Sequence, residues 1–127
     1  MSVAIKSNPV EAAESMVLTK AALRAAERLQ IPASQLAPII GQSEATISRM
    51  KSGRLALEPG SKPFEIALLF VRLFRALDAI TGGDDKVSAA WLRNLNQTLG
   101  EAPLNKMRSL SGLIDVLAYL DARRAPV

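Results

Sequence analysis

Apolar residues recur at helical spacing along almost the whole chain, and the alternation that marks a half-buried strand is nearly absent. Asn8-Pro9 followed by Glu11 marks a helix start, with proline in the first turn and an acid near the positive end of the helix dipole. A short helix is expected there. Thr19 is placed to cap a second one running to Gln30, with Ala22, Leu23, Ala26 and Leu29 as its apolar stripe. Pro32 interrupts the chain. Ala33–Ile40 then makes a short helix that Gly41 stops, and Ser43 caps the next, which runs to about Ser52 before Gly53.

Residues 54–60 read as a connection. Ser61 and Pro63 start a long helix that ends at Gly82-Gly83. Its Phe64, Ile66, Ala67, Leu68, Leu69, Phe70, Val71, Leu73, Phe74 and Leu77 leave almost no polar face. A helix apolar nearly all round must be buried on several sides, and one small lobe supplies few, so residues 63–80 are expected at a homodimer interface. Asp84 caps the following helix, in which Trp91 followed by Leu92 reads as core. Residues 94–102 form a loop and Pro103 starts a short helix. Ser111 is expected to cap the last one, whose Leu113, Val116, Leu117 and Leu120 share a face.

Composition narrows the function classes. Aromatics are only 4% of 127 residues, so Ala, Leu and Ile must fill the interior, which suits close helix packing. Cysteine and histidine are both absent, which removes disulfides, thiolate metal sites and the commonest general base. No acid–base or nucleophile constellation stands out; Asp84-Asp85 after two glycines reads as a helix cap and not as a catalytic pair. We therefore expect no catalytic residues, no metal and no cofactor. The first residues lack a long apolar run, and residues 64–80 are shorter than the roughly 20 needed to span a bilayer and contain Arg72, Arg75 and Asp78. A cytoplasmic protein with no membrane partner is the expectation. The net charge of +4 divides evenly between residues 1–60 and 61–127, so any phosphate must be bound by a folded surface and not by a basic tail.

The most specific local signal lies in residues 33–52. Ala37, Gly41 and Ile47 stand four and six residues apart, with Leu36, Ile40 and Met50 apolar around them. Two short helices cross steeply only if a small residue lets the second approach, which Ala37 supplies. The chain must also reverse within a few residues, which calls for a positive φ at Gly41. Ile47 then plugs the second helix into the core. Ser43, Glu44, Ala45, Ser48 and Arg49 are left on the outer face, where a major groove would be met.

The run Ser43-Glu44-Ala45-Thr46-Ile47-Ser48-Arg49, followed by Gly53, resembles the recognition helix of the Xre/Cro family of repressors. The resemblance implies a DNA-binding helix-turn-helix whose contacts come from Gln42, Ser43, Glu44, Ala45, Thr46, Ser48, Arg49 and Lys51. Further on, Ala90-Trp91-Leu92, Asn96, Leu99-Gly100, Pro103-Leu104, Gly112, Val116 and Leu120 resemble the toxin-binding domain shared by MbcA, ParS and Xre antitoxins. Leu95, Ser109 and Pro126 depart from that pattern.

Together these resemblances imply an all-α chain with three parts. Residues 1–60 are a helix-turn-helix lobe, 61–83 a long central helix expected to dimerise, and 84–127 a small C-terminal toxin-binding domain. They also imply an antitoxin that covers the active site of a RES-domain toxin, an NAD-destroying enzyme, and represses its own operator. Asn94, Asn96, Arg123 and Arg124 are the residues expected to meet the toxin. Arg123 and Arg124 can equally be read as completing the negative end of the last helix dipole. The alternative for the whole chain is a homodimeric Xre/Cro-like repressor with no toxin partner.

Overall fold

The computed structural model describes residues 8–124, which form seven helices, with an isolated bridge between Asn96 and Glu101 as the only strand-like pairing among them. They are α1 (Pro9–Arg28), α2 (Ala33–Ile40), α3 (Glu44–Lys51), α4 (Lys62–Ile80), α5 (Asp85–Arg93), α6 (Pro103–Lys106) and α7 (Leu110–Arg124). The all-helical class and the order of a helix-turn-helix followed by a C-terminal helical region agree with the sequence reading.

The start of α1 follows its signals: the Asn8 side chain accepts the Glu11 N–H at 2.8 Å and Pro9 fills the first turn. What differs is its length. The expected pair of helices is one 20-residue helix, and Thr19 sits buried in its middle. The hydroxyl that looked like a cap has a long-range task. Thr19 Oγ1 accepts the Leu57 N–H at 2.9 Å and donates to the Ser15 carbonyl at 2.7 Å, while the Ser15 hydroxyl donates to the Leu57 carbonyl. Two buried hydroxyls thus satisfy both backbone groups of Leu57, itself buried in the connection to α4.

α4 is the spine of the molecule. α7 and α1 flank it and α2 packs on its first half, so Phe70, Leu73 and Leu77 lose all or nearly all contact with solvent within one chain. Each such side chain contributes roughly 1.5–3 kcal/mol by leaving water. The breadth of its apolar surface, taken from the sequence as a sign of a second subunit, is therefore satisfied mainly by the chain itself. Leu68 and Ile80 remain exposed.

Two arginines fasten the end of α1 to the C-terminal region. The Arg28 guanidinium reaches Asp78 of α4 at 3.0 Å and Asp85 of α5 at 2.9 Å, and lies 4.7 Å from the centroid of the Phe74 ring. Its hydrogen bond to Asp85, above all, raises its pKa further, so it stays cationic throughout. Arg93 of α5 donates to the Leu29 and Gln30 carbonyls at 3.1 and 2.6 Å, serving acceptors that the end of α1 leaves free. Gln30 itself stands at φ +58°.

α7 begins one residue before Ser111, and the cap is Ser109. Its hydroxyl accepts the Gly112 N–H at 3.1 Å. Gly112 is required by the close approach of α6: a Cβ there would lie 1.9 Å from the Lys106 carbonyl oxygen.

Candidate functional site

α3 is held by its neighbours on one side only. Ser43 stands in extended conformation, and its hydroxyl oxygen accepts the Thr46 N–H at 3.1 Å, starting the helix. Ala37 is buried where α2 meets α3, and Ile47 and Met50 are the two α3 side chains that enter the core. Gly41 between the helices has φ +71°, and a Cβ there would meet only Ile66 Cδ1 at 4.0 Å. Its requirement is thus backbone conformation and not lack of room.

The outer face of α3 carries what the sequence placed there. Ser43, Glu44, Ala45, Ser48, Arg49 and Lys51 are exposed, and Gln42 and Thr46 are half-buried. Thr46 is partly committed, since its hydroxyl lies 3.0 Å from that of Ser43. Pro38 lies on the exposed side of α2, where its missing N–H is accommodated without a break in the helix. Beyond α3, Arg54 Nε donates to the Ser52 hydroxyl, which donates to the Arg49 carbonyl, closing the helix end. Among the described residues, Arg49, Lys51 and Arg54 have no carboxylate within 4.0 Å. Three cations without an internal partner at one helix end can meet an anion at little cost in broken pairs.

The C-terminal region is built differently. Asp84 accepts the Lys86 and Val87 N–H groups and Asp85 pairs with Arg28, so the two neighbouring acids have separate structural tasks. Asn94 is the exposed residue that ends α5. Asn96 closes its own loop: its side chain accepts the Leu99 N–H at 3.1 Å and its backbone N–H donates to Glu101. Between them Leu95 is 71% exposed.

Trp91 corrects the expectation of a core residue. It is half-buried, and its ring stacks on Tyr119 of α7 with centroids 6.0 Å apart and planes at 25°. Arg123, one turn after Tyr119, lies 4.6 Å from that ring's centroid. Trp91, Tyr119 and Arg123 thus form a column from α5 to the end of α7, while Arg124 is exposed. Pro126 lies outside the described residues.

A surface not anticipated from the sequence is an apolar groove of about 740 Å³ between the first half of α1 and α4, lined by Val10, Val17, Leu68 and Val71 among others, with Arg72 and Arg75 also beside it. Val10 and Val17 are 65% and 68% exposed. A second apolar stripe along α1, at Val10, Ala13, Val17 and Ala21, was the available signal. Among the described residues no helix is long and apolar enough to cross a membrane.

Two family models match the chain. One, described as the antitoxin Xre-like helix-turn-helix domain, covers residues 9–72. The other, described as the antitoxin Xre/MbcA/ParS C-terminal toxin-binding domain, covers residues 76–125. No curated protein matches the chain.

Proposed function

The chain belongs to the Xre-like helix-turn-helix antitoxin family, and from that premise we propose that it neutralises a cognate toxin through its C-terminal region and represses its own operon through α3. The observation that carries the DNA half is the division of α3 into two faces: Ile47 and Met50 hold it, Ser43 caps it while staying exposed, and the side chains of Glu44, Ala45, Ser48 and Arg49 are left outward. A helix of this kind fits a major groove, with residues near its start reaching base edges and Arg49 reaching a guanine edge or a phosphate. The C-terminal half rests on the family match over residues 76–125, which takes in Asn94, Asn96, Arg123 and Arg124.

The toxin in this reading is a RES-domain enzyme that destroys NAD, and inhibition is steric cover of its active site. That task needs no catalytic group, cofactor or metal on the antitoxin. Repressor and toxin meet in the cytoplasm. Two copies of the chain join across the apolar groove between α1 and α4, which leaves Val10, Val17 and Leu68 in water unless something covers it. Such a dimer presents two α3 helices to two half-sites.

Co-expression with a RES-domain toxin tests the proposal. Cellular NAD is expected to be preserved, a tagged chain should retain the toxin through purification, and light scattering should give a dimer for the free chain. Loss of NAD despite a folded, abundant antitoxin overturns the toxin half. Operator binding by a dimer that never retains a toxin returns the chain to the plain homodimeric repressor.

A further inference from the structure

We propose that α1 carries a second DNA contact: Lys20 and Arg24, with Lys51 of α3, hold the phosphate backbone of duplex DNA beside the groove that α3 enters. The proposal rests on the DNA-binding reading of α3 and adds an edge to it that no recognition-helix pattern includes.

Lys20 and Arg24 stand one turn apart on the exposed side of α1, whose other side buries Thr19, Ala22 and Ala26. With Lys51 they line one groove of about 470 Å³, which also has the apolar Leu23 and Ile31 in its wall. α1 and α3 pack directly on each other, so this groove is continuous with the last turn of α3, where Arg49 also lies. The cations therefore belong to one face of the molecule although they are some 30 residues apart in sequence.

Their electrostatics point outward. Like charges one helical turn apart repel, and among the described residues none of Lys20, Arg24 and Lys51 has a carboxylate within 4.0 Å. Glu27 lines the same groove but pairs with none of them at that distance. Elsewhere the chain does supply partners: Arg28, Lys62, Arg72 and Lys106 each reach an acid. A set of repelling, unpartnered cations beside a recognition helix is relieved by a polyanion. Aliphatic stems over apolar wall and charged heads in water suit Lys and Arg to a phosphate line. Such contacts set position and affinity and carry no base preference of their own.

Fluorescence anisotropy on the full chain tests this, using a labelled duplex of random sequence and a second duplex from the chain's own promoter region. Binding is read from about 50 to 200 mM salt for wild type, the Lys20→Ala/Arg24→Ala double variant, Arg49→Ala and Lys86→Glu. Lys86 is exposed on α5, and its change to Glu removes the same two units of charge. The double variant should melt as wild type does, bind both duplexes more weakly by the same factor, and lower the slope of log affinity against log salt by about 1.8. Lys86→Glu should leave the slope unchanged. Equal slopes for wild type and the double variant, with Arg49→Ala weakened, overturn the α1 edge and leave the reading of α3 standing. An equal loss in Lys86→Glu overturns it too, because net charge alone then explains the change. No duplex binding by wild type at low salt overturns the reading of α3, and the α1 edge with it.

Discussion

Arg49 and Arg123 are both exposed arginines in the last turn of a helix, yet they sit in their surroundings in opposite ways. Among the described residues, Arg49 in the last turn of α3 has no carboxylate within 4.0 Å and no ring beneath it. Arg123 ends α7 over Tyr119, which stacks in turn on Trp91 of α5. The contrast extends to their neighbours. Around α3 the fold uses Gly41, Ser43, Ile47 and Met50 and leaves the outer residues idle; in the C-terminal region Asn96 closes a loop, Asp85 holds Arg28 and Gly112 lets two helices touch. In the first region most of the residues proposed for DNA contact have no task in the fold. In the second, Asn96, a proposed toxin contact, also holds the fold, so a substitution there must be checked against stability before it says anything about a partner.

The strongest break in that comparison is Gly112→Ala. A Cβ 1.9 Å from the Lys106 carbonyl oxygen and 2.7 Å from its carbon meets backbone, which has no rotamer to turn aside. α6 and α7 would have to separate, at a cost of about 3 kcal/mol or more. Thermal unfolding should fall by on the order of 10 °C, and toxin retention should be lost with it. A melting temperature within a degree or two of wild type would mean that the two helices are not so close.

How much of this was legible in the sequence follows the same division. The helix-turn-helix could be read because its signals are local: a glycine forced to positive φ, a serine accepting from three residues on, and one apolar plug. Thr19 misled because a hydroxyl at the head of an apolar stripe looks like a cap, and its partner Leu57 lies 38 residues away. Ser111 misled for a smaller reason, since Ser109 two residues earlier has the same chemistry. The width of the apolar face of α4 was correctly seen, but periodicity cannot say whether α1 and α7 or another copy covers it. Trp91 shows the same limit: its size suits a core, and only the tertiary structure shows it half-buried at the core's edge against Tyr119. Lys20 and Arg24 carried no signal, because charges on the outer face of a helix are what any solvated helix shows.

Arg49→Ala sharpens the other side of the comparison. It should change unfolding stability by less than about 0.5 kcal/mol, as expected of an exposed side chain with no partner to lose. Operator affinity should fall by about 1–3 kcal/mol if the guanidinium meets a base edge, while a phosphate contact would show mainly in a lower salt slope. Toxin neutralisation should be untouched. Unchanged operator binding across a salt series would remove α3 from the interface.

The finest test of the contrast is Arg123→Glu with Arg124→Glu. Reversing two charges at the negative end of α7 costs a helix dipole term of roughly 0.3–1 kcal/mol, and losing the cation over Tyr119 adds roughly 0.5–1 kcal/mol at an exposed site. The chain should still fold, with melting lowered by only a few degrees. Against the toxin the two roles predict different outcomes. If the arginines reach an acidic cleft, reversal replaces attraction by repulsion and desolvated like charges, and NAD loss should resume although the antitoxin is folded and abundant. Arg123→Gln with Arg124→Gln should then be intermediate, since it removes the attraction without adding repulsion. If both variants still block NAD loss, the arginines only complete the end of α7, and inhibition has to come from the loop of residues 94–102, with its exposed Leu95, or from the apolar face of α7.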